Sequence, residues 1–307
     1  MRSVTVKSPA TLSNLCCGFD ILGMALEAPY DLITISESAQ SGIRIRHLDA
    51  YGLPEDPLLN ISGVALQSFI NALGSQQGFD VVVEKKIKPG SGIGSSAASA
   101  AGVVVAANEL MGRPFNNNQL LSFAMDGEVL ASGSRHADNL APCIYGGLVL
   151  IRDTPSLDII PLSLPPLYVT IVHPQIEIKT SYAREILPKE IPLKLAVNQW
   201  ANVAGLVAGF QQGDYELIGR SLEDVIVEPV RSKLIPGFDE VKQKSLAAGA
   251  LGGGISGSGP SLFMLSKEKN LAEKVAVEMS GVFERLNIEY KTYVTTVAAH
   301  GVEVLHT

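Results

Sequence analysis

The stretch from Phe79 to Gly112 constrains this chain more than any other. Phe79 to Val83 is a short apolar, β-branched run that reads as a buried strand. Pro89 ends it, and Pro89-Gly90-Ser91-Gly92-Ile93-Gly94-Ser95-Ser96-Ala97-Ala98 leads into a long Ala- and Val-rich helix that stops near Gly112 and Pro114. Glycine lets backbone N–H groups approach a ligand closely, and a helix start adds unpaired donors and the positive end of a dipole. Two readings fit. Either the Gly90–Ser96 amides cradle a phosphate, or the segment is a plain strand-to-helix turn in which Ser95 or Ser96 caps the helix. Three glycines exceed the needs of a turn and favour the cradle. The sequence contains no G-x-x-x-x-G-K-[ST], so such a cradle is not a P-loop.

Composition limits the partners. A net charge of −7 argues against general nucleic-acid binding, which needs a basic face. An acidic protein that binds a phosphorylated ligand must build its anion site locally, from glycines, helix ends and a few cations. Cys16, Cys17 and Cys143 form neither a disulfide framework nor a metal-ligand pattern, and suit a reducing cytosol. The opening Met-Arg-Ser-Val-Thr-Val-Lys lacks the apolar core of a signal peptide. The small-apolar stretch Ala97 to Ala107 is too short to span a bilayer. The expectation is a cytoplasmic protein bound to neither membrane nor nucleic acid.

At 307 residues the chain can hold one large or two ordinary domains. Strand signals stand at Val4 to Val6, Leu32 to Ile35 and Ile43 to Ile45. Asp56-Pro57 reads as an N-cap with proline at the first helical position, and Leu58, Ile61, Ala65, Phe69 and Leu73 continue at helical spacing to Gly74. A helix from Asn118 to Ser132, a polar loop from Ser134 to Asn139 and a strand from Leu148 to Ile151 follow. Asp153 to Pro166 holds four prolines and is the expected domain boundary, which divides the chain into 1–160 and 161–307. The second half reads as a strand (Tyr168 to Val172), then a long helix with Trp200, Val203, Val207 and Phe210 on one stripe. It ends helix (Phe238 to Ala248), glycine-rich loop, strand (Leu262 to Leu265), helix (Leu271 to Leu286), strand (Tyr293 to Val297). The class is α/β or α+β.

Two further segments carry chemistry. Gly252-Gly-Gly-Ile-Ser-Gly257-Ser-Gly259-Pro260 formally contains G-x-G-x-x-G, but a helix precedes it and a strand follows, the reverse of a dinucleotide-binding turn. It reads as a shaped loop near a ligand or near the first glycine cluster. In Glu128 to Asn139, Glu128 fits a Mg²⁺ ligand or a solvated helix carboxylate. His136 fits a loop histidine bonded to backbone, while Asp138 and Asn139 suit a polar substrate.

Together these segments resemble the GHMP kinases. Pro89 to Ala98 is similar to the family's central phosphate-binding motif, with Ile93 where Leu is usual. Gly252 to Pro260 resembles its C-terminal glycine motif, and Lys7-Ser-Pro9-Ala10 its N-terminal one. Within the superfamily the chain most resembles the homoserine kinases over nearly its whole length. The resemblance is carried by Ser8 to Gly23 with Asn14 and Gly18-Phe19-Asp20, His136-Ala-Asp138-Asn139, Thr180 to Pro188, and Glu228 to Arg231 with Ile235 to Phe238. Cys16-Cys17 replaces the usual Gly-Pro or similar pair.

The resemblance implies a two-domain α+β fold, with a ribosomal-protein-S5-like N-terminal domain that binds ATP and a ferredoxin-like C-terminal domain. It implies ATP and Mg²⁺ as cofactors and a possible homodimer. Residues 89–97 would hold the nucleotide, with Asn60 near the adenine and Ser96 and Glu128 on Mg²⁺. Arg184 and Arg231 would take the α-carboxylate of L-homoserine, and Asn14, Asp20 and Asp138 its amino group and chain. His136, Asn139, Thr180 and Gly257 complete that pocket. Catalysis would rest on positioning and charge neutralisation through Ser96, Glu128 and Asn14, without an aspartate base. The product would be O-phospho-L-homoserine, on the route to threonine. A kinase of the same superfamily acting on shikimate, mevalonate or a sugar, or a non-catalytic sensor, competes with this reading.

Overall fold

The computed structural model describes residues 2–306. The first half runs β1 (Ser3–Ser13), β2 (Leu22–Ser38), β3 (Ile43–His47), α1 (Ile61–Leu73), β4 (Gly78–Glu84), α2 (Ser95–Leu110), α3 (Asn117–Ser132), α4 (Leu140–Tyr145), β5 (Leu148–Asp153) and β6 (Asp158–Leu162). The second half runs β7 (Tyr168–Pro174), α5 (Thr180–Glu185), α6 (Leu193–Gln212), α7 (Tyr215–Ser221), α8 (Glu228–Arg231), α9 (Phe238–Ala247), β8 (Gly252–Ile255), β9 (Leu262–Ser266), α10 (Lys269–Arg285), β10 (Tyr290–Thr296) and β11 (Glu303–His306).

One sheet of seven strands has the order β11-β1-β2-β4-β3, with β5 and β6 added beside the start of β2. The alternating pattern that marks strands in the sequence covers only the outer parts of β1 and β2. Beyond Ser8 every residue of β1 is buried, so alternation vanishes there. A register shift between Pro9 and Thr11 bends this hairpin, and β2 pairs β5 with its first residues and β4 with its last. The second sheet has the order β10-β7-β9-β8 with every pair antiparallel. Numbered within itself that order is 4-1-3-2, in a β-α-β-β-α-β chain path, the expected ferredoxin-like arrangement.

The chain passes between the sheets at residues 163–167, after the proline-rich segment has contributed β6 to the first sheet. It later crosses back, because β11 pairs with β1. A shared core joins the sheets: Leu12, Leu22 and Met24 pack with Val169, Phe210 and Phe263.

Helix α2 is the central element. Thirteen of its 16 residues are buried, which explains its Ala-rich composition with no polar face. Two local readings are corrected. Helix α1 begins at Ile61, not after Asp56; Asp56 instead accepts from Leu58 N at 2.9 Å in a turn that folds Pro57 against Gly63. The Gly252–Gly254 run is strand β8 and not loop, buried throughout; a Cβ on Gly253 would lie 2.0 Å from the Phe263 carbonyl. On α6, Phe210 is buried and Val203 and Val207 are half-buried, whereas Trp200 is exposed.

Candidate active site

Gly90, Gly92 and Gly94 all adopt left-handed backbone, with φ of 74°, 80° and 71°. Only glycine takes these values without strain. Gly94 is the N-cap of α2 and no side chain caps the helix, so neither serine acts as a cap. Ser95 Oγ donates to Ile87 O at 2.9 Å, and Ser96 Oγ donates to Glu128 Oε1 at 3.1 Å. The first-turn N–H groups of α2 therefore remain available to a ligand. The second glycine segment clamps this loop from behind: Ser256 Oγ donates to Gly92 O at 2.7 Å and Ser261 Oγ to Ser91 O at 2.6 Å. Ser91 Oγ is itself buried without a hydrogen-bond partner among the described residues.

The loop forms one wall of a cavity of about 320 Å³, within the size range of small-molecule sites. Glu128 of α3 lines the cavity, and burial pushes its carboxyl up to about 7 against the opposing Ser96 hydrogen bond. Asp138 is also buried and shifted upward, first by desolvation and then by the charge of Asp20. Asn139 is held at both amide atoms, accepting from Thr11 Oγ1 at 2.8 Å and donating to Ser13 Oγ at 3.0 Å.

The other end of the cavity is built on the β1–β2 turn. Asn14, Leu15, Cys16 and Asp20 take positive φ there, and Cys16 and Cys17 are buried. Asn14 pins the turn by donating to Gly257 O and accepting from Asp20 N, both at 3.0 Å. Arg184 of α5 and Arg231 of α8 converge on one ring, 5.2 and 5.1 Å from the centre of Phe19. Arg231 is 3% exposed and donates to Ala183 O at 2.9 Å and Gly257 O at 3.0 Å. Burial, with Arg184 nearby, lowers its pKa to about 10.

Two family models match the chain. The GHMP kinases N terminal domain matches residues 60–147 and the GHMP kinases C terminal domain residues 206–285. The homoserine kinase of Chloroherpeton thalassium is 45% identical over 99% of this chain and 100% of its own length. The chain belongs to the homoserine kinase family of GHMP kinases. The homoserine kinase of Methanocella arvoryzae is 40% identical over 100% of this chain and 98% of its own. A crystal structure of homoserine kinase from Cytophaga hutchinsonii superposes with a TM-score of 0.96 at 48% identity, covering 99% of this chain and 98% of that one.

Most residues to which the homoserine-kinase resemblance gave a role line this single cavity: Asn14, Asp20, Pro89 to Gly92, Gly94 to Ser96, Glu128, His136, Asp138, Asn139, Thr180, Arg184, Arg231 and Gly257. Ile93 and Ala97 instead turn their side chains into the core. Asn60 lies outside the lining. Its Oδ1 caps α1 through Ser62 N and Gly63 N, and its Nδ2 donates to Pro54 O and sits 2.9 Å from His47 Nε2, so the side chain is committed to the helix start. Phe19 of the Gly18-Phe19-Asp20 turn also lines the cavity, as do Ser13, Lys85 and Ser99, which no local pattern singles out. Phe19 stands inside Gly18-Phe19-Asp20, and a ring beside a charged turn is a signal for arginine stacking. Lys85 is hidden within the charged run Glu84-Lys85-Lys86.

Proposed function

We propose that this chain transfers the terminal phosphoryl group of ATP to the side-chain hydroxyl of L-homoserine, giving O-phospho-L-homoserine. One observation carries the reading. A single cavity has uncapped helix amides and left-handed glycines at one end, and two arginines facing two carboxylates at the other. The first end suits a polyphosphate. The second suits a zwitterion, since an α-carboxylate needs cationic forks and an ammonium needs carboxylates. Mevalonate, shikimate and sugars carry no ammonium and would leave Asp20 and Asp138 without a cationic ligand.

The loop amides, Ser91 Oγ and the first turn of α2 hold the phosphates, and Arg184 and Arg231 orient the carboxylate. An ammonium between Asp20 and Asp138 restores the ionised form that burial opposes at Asp138. The Asn14 amide, with one N–H and one lone pair engaged, keeps the others for the acceptor hydroxyl. Ser96 Oγ and the Glu128 carboxylate are hard oxygen donors side by side on the cavity wall, and they fit Mg²⁺. Bound there, Mg²⁺ supplies charge neutralisation for the transferring group. Phosphoryl transfer through a loose transition state needs little base assistance, so positioning by these residues suffices.

An ADP-release assay across homoserine, mevalonate, shikimate and galactose tests the reading. Turnover should be confined to homoserine. Preference for any of the other three would replace homoserine as the substrate.

A further inference from the structure

A buried ion pair lies beneath the phosphate loop. The side chains of Lys85 and Asp31 are 1% and 0% exposed, and Lys85 Nζ donates to Asp31 Oδ2. The same ammonium donates to Ser95 O at 2.7 Å and to Ser99 Oγ at 2.9 Å, which uses all three of its protons. The other oxygen of Asp31 accepts from Lys86 N at 2.7 Å and Ile87 N at 2.9 Å. Ser95 Oγ closes the ring by donating to Ile87 O at 2.9 Å.

These bonds have a pattern. Residues 85–87 lead from β4 into the loop, and Ser95 and Ser99 stand in the first turns of the helix after it. The pair therefore ties the entrance of the loop to its exit, across 10 positions of sequence between Lys85 and Ser95. Desolvation of two charges opposes the Coulombic gain, and well-packed apolar residues often hold a fold equally well. What apolar residues cannot do is fix the orientation of the Ser95 carbonyl and the 86–87 amides. Those groups set where the loop amides and the first turn of α2 point. Lys85 is also among the residues that line the cavity.

We propose that Lys85 and Asp31 are positioning residues for ATP, acting through the phosphate loop rather than on the nucleotide itself. This rests on the reading of residues 89–96 as the phosphate cradle. Three variants test it by steady-state kinetics and thermal melting. Lys85→Met should raise KM for ATP at least about tenfold and lower Tm, with KM for homoserine unchanged. Asp31→Asn with Lys85→Met removes both charges, so Tm should recover towards wild type while KM for ATP stays raised. Ser99→Ala keeps the ion pair and suits its helix, so it remains folded; it leaves one ammonium proton without its partner and should raise KM for ATP severalfold with a smaller fall in Tm than Lys85→Met. Recovery of ATP affinity together with Tm in the double variant, or a wild-type KM for ATP in Ser99→Ala, overturns the proposal. Gly90→Ala, run alongside, separates the two layers. If it leaves ATP binding unchanged, the cradle reading falls and this proposal with it. If it weakens ATP binding while the other variants match wild type, only the positioning role falls.

Discussion

Arg184 donates to both carboxylate oxygens of Asp20, at 3.0 and 2.8 Å, in the wall of the cavity. Two groups proposed for opposite ends of one amino acid are thus each other's partners. A zwitterion can replace this pair at both ends, with its carboxylate on Arg184 and its ammonium on Asp20. A molecule with only one of the two charges displaces one partner and leaves the other unmatched.

The Arg184→Leu variant follows from that arrangement. A charge-assisted hydrogen bond contributes about 1.5–3 kcal/mol. The variant should therefore lose on the order of 10- to 150-fold in kcat/KM for homoserine, mostly in KM, because the carboxylate does not react. Homoserinol lacks the carboxylate, and Asp20 is freed to receive its ammonium, so its kcat/KM should hold or rise. Equal proportional losses on both substrates would show that Arg184 supports the fold instead. Arg231 is a poorer probe, since its bonds to Ala183 O and Gly257 O make it part of the scaffold.

Within the phosphate loop, Gly90 is the cleaner position to challenge. A Cβ there meets nothing within 4 Å, whereas one at Gly94 would sit 2.0 Å from Thr11 Oγ1 and disturb β1. Gly90→Ala should stay folded, bear only the cost of left-handed backbone, and weaken ATP binding severalfold. Gly94→Val should lose both ATP binding and thermal stability. An ATP titration by calorimetry that overlays wild type for Gly90→Ala would remove the cradle assignment.

Glu128→Gln keeps the shape of the side chain and removes the carboxylate from the proposed Mg²⁺ site. Turnover should fall, and the Mg²⁺ concentration for half-maximal rate should rise. Magnesium curves that superimpose after scaling would place Glu128 outside the metal site.

Acid stability has a identifiable contributor in His173, buried in β7 opposite Lys291. Burial, then Lys88 and Lys291, lowers its pKa to about 4, against about 6.5 in an unfolded chain. A depressed value means that the unfolded chain binds the proton first. The stabilising contribution is whole above about pH 6.5 and is lost as pH falls towards 4, at up to roughly 1.4 kcal/mol per unit. Urea midpoints for His173→Gln should therefore decline less steeply than wild type between those pH values. Parallel declines would assign the acid sensitivity to carboxylates alone.

Features written in short-range pattern are legible from residues alone. The Gly90, Gly92, Gly94 run announces a loop of left-handed backbone before α2, and Gly74 ends α1 in left-handed conformation as its position after a helical stripe implies. The ordered segments around Asn14, His136, Arg184 and Arg231 carry the homoserine-kinase resemblance before any fold is known, and the fold brings these four residues to one cavity. Asn60 shows the limit. An asparagine near a helix start can face a ligand or cap the helix, and only the placement of Pro54 and His47 against it decides.

The remaining features depend on partners far apart in the chain. Strand β11 has no strong pattern of its own and forms because β1 offers it an edge. Asn14 reaches Gly257 across 243 positions, and Lys85 finds Asp31 across 54. Periodicity and glycine placement record what each residue does to its immediate backbone. They carry no record of which buried charge meets which, because that is set when the two sheets close over a common core and every desolvated donor must find an acceptor. Residue types and local spacing marked the glycine loop and carried the family resemblance; the packing of β1, β2 and α2 decided which groups meet the cavity and which hold its walls in place.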